Sequence, residues 1–142
     1  MVAIFIGVSP GELLDRMTIL KIKTKRILAP PKRAAAIVEL ETLQAVCDAT
    51  IPHSLELQRL VDELASVNNG LWTLENEIRD HAGVQDFGSG FVAAARDIFR
   101  QNDRRCELKQ AINRLLGYAS GESKEYQCYR AETRPVDQSS PS

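Results

Sequence analysis

The sequence lacks several features that would assign it at once to a functional class. It has only three cysteines in 142 residues (Cys47, Cys106 and Cys128), and their wide spacing forms neither a metal-ligand pair nor a disulfide framework. Aromatic residues make up 6% of the chain, and the net charge of −1 gives no field that would attract nucleic acid or an anionic membrane. No apolar run reaches the length of a membrane span. These absences predict a cytoplasmic protein with no cofactor, no nucleic-acid partner and no membrane partner.

Classical catalytic motifs are missing as well. The sequence has no phosphate-binding glycine-rich loop followed by Gly-Lys-Ser/Thr, no His-Glu-x-x-His zinc motif and no nucleophile elbow. His53 and His81 stand alone, without the helical spacing of a metal site. The basic residues between Lys21 and Arg33 have no interleaved aromatic residues, and such a run is usually a solvated helix face. The sequence therefore favours a binding or structural role and leaves enzyme activity open.

The composition that remains is that of an ordinary globular domain. It is 44% hydrophobic and 26% charged, and a chain of 142 residues can bury a core without disulfides. We predict a single helical domain over residues 1–133. Residues 134–142 have neither periodicity nor a packing face, so we expect a disordered tail there.

Apolar periodicity predicts four helices. Ser9-Pro10-Gly11-Glu12 has the form of a capping box and begins a first helix that ends near Leu28, before two prolines. The other three helices are predicted over about 32–49, 55–81 and 89–117. The predicted fold class is mainly α, either a four-helix bundle or paired long antiparallel helices.

The first residues have a different character from the helices. Val2 to Val8 are β-branched, aromatic or small, which is typical of a short buried strand. A single strand is not stable alone, and the only other strand-like stretch runs from Glu125 to Arg130. We therefore predict that the two stretches pair as a minor two-stranded element formed by the termini.

The most informative pattern is a polar interruption in the apolar seam of the fourth helix. Asn102, Arg105 and Lys109 replace apolar residues in the middle of that seam, with Asn113 near its edge, whereas the seam of the third helix is uninterrupted. Buried cations need carboxylates, a bound anion or water as partners. One interpretation is a polar inter-helical site for a small anionic ligand, such as a phosphorylated sugar or nucleotide. The alternative is that the basic side chains extend to solvent while Asn102 sets the helix register.

Residues of the other helices supply further candidates for this site. Glu75 and Arg79 have the spacing and order of a helix ion pair, and Glu75 is a natural partner for the cations of the fourth helix. The candidate ligand-binding residues are Arg16, Lys21, Trp72, Glu75, Arg79, Asn102, Arg105, Lys109 and Asn113.

The first helix carries apolar residues on two sides. Leu14 and Met17 belong to its main stripe, and Ile19 and Ile22 lie on the opposite side. A structural adaptor or homo-oligomerising helical protein is therefore an alternative function. Its protein partner, or a second copy of the chain, would dock through this helix.

Three stretches are informative in combination, namely Val8 to Lys23, Val67 to Trp72, and Asn102 to Arg105. Together they resemble a family of small, mostly helical bacterial proteins that is defined only as a domain of unknown function. The likeness covers most of residues 2–129. It implies a mostly helical fold and no particular activity.

An enzyme alternative comes from a weaker likeness. Arg16, Lys21, Arg105 and Lys109 with Glu75 are the residue types with which small all-helical chorismate mutases hold a dicarboxylate, although the spacing differs. The likeness implies an isomerase- or lyase-type enzyme that works by electrostatic stabilisation. A carboxylate with a raised pKa beside these cations would favour this alternative.

Overall fold

Four helices make up most of the described chain, as the periodicity predicts. The structure is a computed structural model that describes residues 1–119. Its helices are α1 (Pro10–Arg26), α2 (Pro30–Thr50), α3 (Leu55–Gly83) and α4 (Ser89–Leu115). The mainly α fold class is confirmed. The predicted tail and the strand-like stretch from Glu125 to Arg130 lie outside the described residues.

The starts of α1 and α3 follow from local side-chain chemistry. The Oγ atom of Ser9 accepts a hydrogen bond from the backbone N–H of Glu12 at 3.2 Å, and that of Ser54 accepts one from Leu57 at 3.1 Å. Each bond satisfies an N–H group that the start of a helix leaves without an intrahelical partner. Gly70 does not interrupt α3, in agreement with the continuous apolar seam around it.

Helix α1 lies at the centre of the arrangement, because it contacts each of the other three helices. Short connections over residues 27–29 and 84–88 make α1–α2 and α3–α4 antiparallel pairs. Helix α2 packs chiefly against α1. The fold is therefore a bundle of α1, α3 and α4 with α2 on the outer side of α1.

The hydrophobic core lies where α1, α3 and α4 meet. Leu64 of α3 and Ile112 of α4 are 0% exposed, and Leu108 of α4 is 1% exposed. Other buried members of the core are Leu13, Leu14, Met17, Leu57, Val67 and Leu71. The predicted packing face of α3 is confirmed by these residues.

The predicted N-terminal strand, and with it the two-stranded element, is not supported by the described part of the chain. Residues 1–9 form neither strand nor helix, and Val2, Ile4 and Phe5 are 91%, 82% and 92% exposed. The β-branched composition expresses a strand propensity that is realised only when a neighbouring strand provides hydrogen bonds and packing. No strand within residues 1–119 provides them.

The second apolar side of α1 is used inside the chain. Ile22 is buried and Ile19 is half-buried, because α2 packs against the side of α1 that α3 and α4 leave free. The prediction that a partner or a second copy docks through this helix is therefore not supported.

Other features of the described chain bear on the predicted class of protein. No helix among residues 1–119 combines the length and apolar character needed to cross a membrane. In the same part of the chain, no three side chains of His, Cys, Asp or Glu form a group suited to a metal ion.

Cys47 is a free thiol. Cys106 is disulfide-bonded, which the cysteine spacing did not predict.

Candidate functional site

The interrupted seam of α4 meets a buried carboxylate of α1. Asp15 is only 1% exposed. Arg105 donates from Nε to Asp15 Oδ1 at 2.8 Å and from Nη2 to Asp15 Oδ2 at 2.6 Å. A bidentate guanidinium–carboxylate pair is among the strongest side-chain interactions in proteins. The guanidinium that interrupts the seam therefore has a carboxylate partner within the chain.

Asn68 of α3 completes the hydrogen bonding around this carboxylate. Its Nδ2 donates to Asp15 Oδ1 at 2.9 Å and to Thr18 Oγ1 at 2.8 Å. Thr18 Oγ1 donates in turn to the backbone carbonyl of Asp15 at 2.7 Å. Within residues 1–119, every buried polar side-chain atom has a hydrogen-bond partner. A fully satisfied network of this kind holds its helices in one arrangement.

Two further residues of α4 bind the first turn of α1. Lys109 Nζ lies 2.6 Å from Glu12 Oε2 and 3.9 Å from Asp15 Oδ2. Asn113 Oδ1 accepts a hydrogen bond from the backbone N–H of Gly11 at 2.7 Å, which satisfies another free N–H group of the helix start. We use the name polar cluster for Gly11, Glu12, Asp15, Thr18, Asn68, Arg105, Lys109 and Asn113.

The charges of the polar cluster balance. The carboxylates of Glu12 and Asp15 face the cations of Arg105 and Lys109. Burial acts to raise the pKa of Asp15, but hydrogen bonds from Arg105 and Asn68, together with the charges of Arg105 and Lys109, hold that pKa below the ordinary value of 3.8. The shift is opposite to the one that would favour the enzyme alternative. The cluster is suited to joining helices.

Three of the four polar residues predicted on α4 come together in this cluster, and Asn102 does not. Asn102 is exposed, whereas the buried stripe of α4 contains Ala94 and Leu108. Arg105 and Lys109 lie at the edge of that stripe, partly open to solvent. The two cations and Asn113 therefore contact α1, whereas Asn102, about three turns before Asn113 on nearly the same side of α4, is exposed.

The two cations predicted on α1 lie outside the polar cluster. Arg16 forms an ion pair with Glu39 of α2. Lys21 is exposed, and its positive charge acts to lower the pKa of the thiol of Cys47 on α2. Burial and the negative charge of Asp48 nevertheless raise the pKa of that thiol. Arg16 and Lys21 therefore belong to the contact between α1 and α2.

The candidates on α3 also have separate positions. Trp72 is half-buried, and Glu75 and Arg79 are exposed. The negative charge of Glu75 reaches Arg105, but Asp15 provides the direct hydrogen bonds. The expected ion pair between Glu75 and Arg79 is not among those formed by residues 1–119. None of these three residues of α3 belongs to the polar cluster.

The predicted site omitted five of the eight residues of the polar cluster, namely Gly11, Glu12, Asp15, Thr18 and Asn68. Gly11, Asp15 and Thr18 follow a spacing of four and then three residues, so they lie on one stripe of α1. Asn68 interrupts the apolar face of α3 four residues after Leu64. These polar interruptions of apolar faces were the available signal, and they match the interruption in α4.

No protein-family model, curated protein or solved structure matches the chain. The resemblance to a bacterial domain of unknown function therefore stays a prediction.

Gly11 is expected to tolerate alanine poorly. A Cβ atom there would lie 2.9 Å from Asn113 Oδ1 and closer still to the backbone carbonyl oxygen of Lys109. Because backbone cannot move aside as the end of a flexible side chain can, we expect Gly11→Ala to lower the free energy of unfolding by about 1–3 kcal/mol. Urea denaturation measures this loss.

Gly70 provides the matched control for this substitution. It also lies in a helix, and no atom lies within 4 Å of a Cβ added there. Gly70→Ala is therefore expected to stabilise the protein by about 0.5–1 kcal/mol, the ordinary gain in helix propensity. A similar gain at Gly11 would contradict the close approach of α1 to α4.

Proposed function

We propose that the protein is a non-enzymatic accessory protein that binds a protein partner through its apolar segment, residues 2–8, which adds as a strand to an open sheet edge of that partner. The observation that carries the proposal is the exposure of this segment, in which every residue is apolar. Contiguous exposed apolar surface of this kind marks interaction sites in soluble proteins.

The apolar segment has the chemistry of a strand that adds to a sheet. In an extended chain, Val2, Ile4 and Ile6 lie on one side, and Ala3 and Phe5 lie on the other. β-Branched and aromatic residues favour strands when a neighbouring strand is present. Main-chain hydrogen bonds to a sheet edge provide affinity, and pockets for alternate side chains provide specificity. The partner is therefore expected to have an exposed sheet edge beside apolar pockets.

The polar cluster supports this role by holding the helix that follows the segment. The apolar segment leads into Ser9, which caps α1. The first turns of α1 are held on α4 by Asn113, Lys109 and Arg105. A helix start in a defined position gives the segment a defined point of departure, which reduces the entropy lost on binding.

Binding of a small anion has weaker support than strand addition. Both cations of the polar cluster already have carboxylate partners, Arg105 with Asp15 and Lys109 with Glu12. An anion would have to displace one of these carboxylates and would gain only the difference between the two interactions. The cytoplasmic location and the bacterial family stay predictions.

Removal of the apolar segment is expected to leave folding almost unchanged. A chain without residues 2–8 keeps Ser9 as the cap of α1. We expect its free energy of unfolding to lie within about 0.5 kcal/mol of the wild-type value. The reason is that the segment is exposed and contributes nothing to the described core. Urea denaturation compares the two chains. A loss above roughly 1 kcal/mol would show that the segment pairs within its own chain, and would contradict a role in binding.

Proline substitution tests strand addition itself. Only alternate residues of an edge strand direct their N–H groups toward the neighbouring strand, and proline removes one N–H group. We compare proline at Ile4 with proline at Phe5 for capture of the partner from a cell extract. We expect one of the two substitutions to abolish capture and the other largely to retain it. Alanine at the same two positions controls for the lost side chains. Equal loss at both positions would indicate apolar adhesion without a strand and would contradict the proposal.

A further inference from the structure

A second apolar surface lies on the side of α4 that the bundle leaves uncovered. Val92 and Phe99 are 44% and 53% exposed. Together with Ala95 they line a shallow groove that follows the helix. The spacing of three and four residues places all three on one stripe, which we name the outer stripe of α4.

Two charged residues of this groove have no ion-pair partner within residues 1–119. Arg100 pairs with Asp97 at 3.6 Å. Arg96 and Asp103 also line the groove, and neither forms an ion pair in the described part of the chain. They are seven residues apart, close to two helical turns or about 10.5 Å, with Phe99 between them. Among residues 1–119, the outer stripe therefore has an apolar centre with an unpaired cation toward its N-terminal end and an unpaired anion toward its C-terminal end.

We propose that a second copy of the chain occupies this groove, with the two α4 helices antiparallel about a twofold axis near Phe99. In this arrangement Arg96 of each copy lies opposite Asp103 of the other copy, so the interface contains two identical ion pairs. A parallel arrangement would place Arg96 against Arg96 and Asp103 against Asp103. A twofold interface needs a surface that is complementary to itself, and only the antiparallel arrangement meets this condition.

The apolar residues provide most of the affinity of this interface, and the charges provide its direction. Exposed ion pairs contribute little free energy, whereas burial of Val92, Ala95 and Phe99 in both copies removes apolar surface from water. Like charges placed opposite each other are strongly unfavourable, so the charges exclude the parallel arrangement. The interface uses none of residues 2–8, so it is independent of the strand addition proposed above.

Charge reversal tests the arrangement. We expect sedimentation equilibrium of the full chain, from about 1 µM to 1 mM, to show dimers. Arg96→Asp and Asp103→Arg each place like charges opposite each other twice, so each should weaken dimerisation by more than about tenfold. The double variant, which exchanges the two charges, should restore dimerisation to near the wild-type level. Arg33→Asp, at an exposed position on α2, is the matched control and should dimerise normally.

Four separate results would overturn the proposed dimer. A wild-type chain that stays monomeric over the whole range would overturn the proposal, and so would a double variant that stays monomeric while its far-UV circular dichroism is unchanged. Dimers that persist in Phe99→Asp would also overturn it. Loss of dimerisation on removal of residues 2–8 would assign self-association to the apolar segment and overturn it as well. Failure of strand addition in the proline experiment would leave this result unaffected.

Discussion

Replacement of Arg105 by methionine is expected to lower the free energy of unfolding by about 3–5 kcal/mol at neutral pH. Asp15 would lose both bonds of the guanidinium and would keep only the bond from Asn68 and the more distant charge of Lys109, 3.9 Å away. A buried carboxylate without its main partner is costly, because its desolvation is no longer offset. Urea denaturation monitored by circular dichroism measures the loss.

Arg104→Met is the matched control for this experiment. Arg104 is the neighbouring residue of the same helix, and its exposed guanidinium pairs with Glu63 and Glu107. Exposed ion pairs contribute little, so we expect a loss of about 0–1 kcal/mol. Equal losses in the two variants would show that the buried pair has no special contribution to stability.

The pH dependence of the same variants tests the sign of the shift at Asp15. In the wild type, the pKa of folded Asp15 lies below 3.8, so its contribution to stability is complete above that pH and is lost as the pH falls through the folded pKa. In Arg105→Met, burial is opposed by fewer interactions, and we expect the pKa of Asp15 to rise above the unfolded value. The difference in stability between the two proteins should therefore narrow as the pH falls from neutral toward 3.8. A constant difference would contradict this explanation.

Leu64→Ala is the second substitution with a large expected effect. Leu64 is 0% exposed at the junction of α1, α3 and α4, so its truncation leaves a cavity that the surrounding helices only partly fill. We expect a loss of about 2–5 kcal/mol. Leu55→Ala, the same change at an 82% exposed position of the same helix, should change stability by no more than about 0.5 kcal/mol. A loss below roughly 1 kcal/mol at Leu64 would contradict the bundle.

The parts of the fold that could be predicted from the sequence depend on neighbouring residues. Ser9 and Ser54 cap the helices that follow them, because a hydroxyl three residues before an N–H group can reach it. Leu64 and Leu71 were predicted in the core because α3 repeats one apolar stripe over its length. The cap bonds and the apolar stripe are both patterns within a single helix, so the sequence shows them directly.

The membership of the polar cluster depends on contacts between helices, and periodicity does not specify them. The sequence indicated that Arg105 needs a partner, but its pairing with Asp15 follows from the rotation and order of α1 and α4. Asn102 lies on nearly the same side of α4 as Asn113, about three turns earlier, so periodicity alone could not show that Asn113 contacts α1 and that Asn102 is exposed. Residues 2–8 were predicted to be buried because strand propensity does not reveal whether a partner strand lies in the same chain.

The polar cluster neutralises its own cations and joins α1 to α4, and an anion titration tests this most directly. Thermal unfolding of the wild type and of Lys109→Met should be followed with inorganic phosphate, sugar phosphates, nucleotides and dicarboxylates. Phosphate stabilises most proteins by exclusion from their surface, so only the difference between the two proteins is informative. We predict equal shifts in both. A shift that is larger in the wild type, up to about 2.7 kcal/mol at a hundredfold excess over Kd, and absent in Lys109→Met would contradict the assignment and identify an anion site.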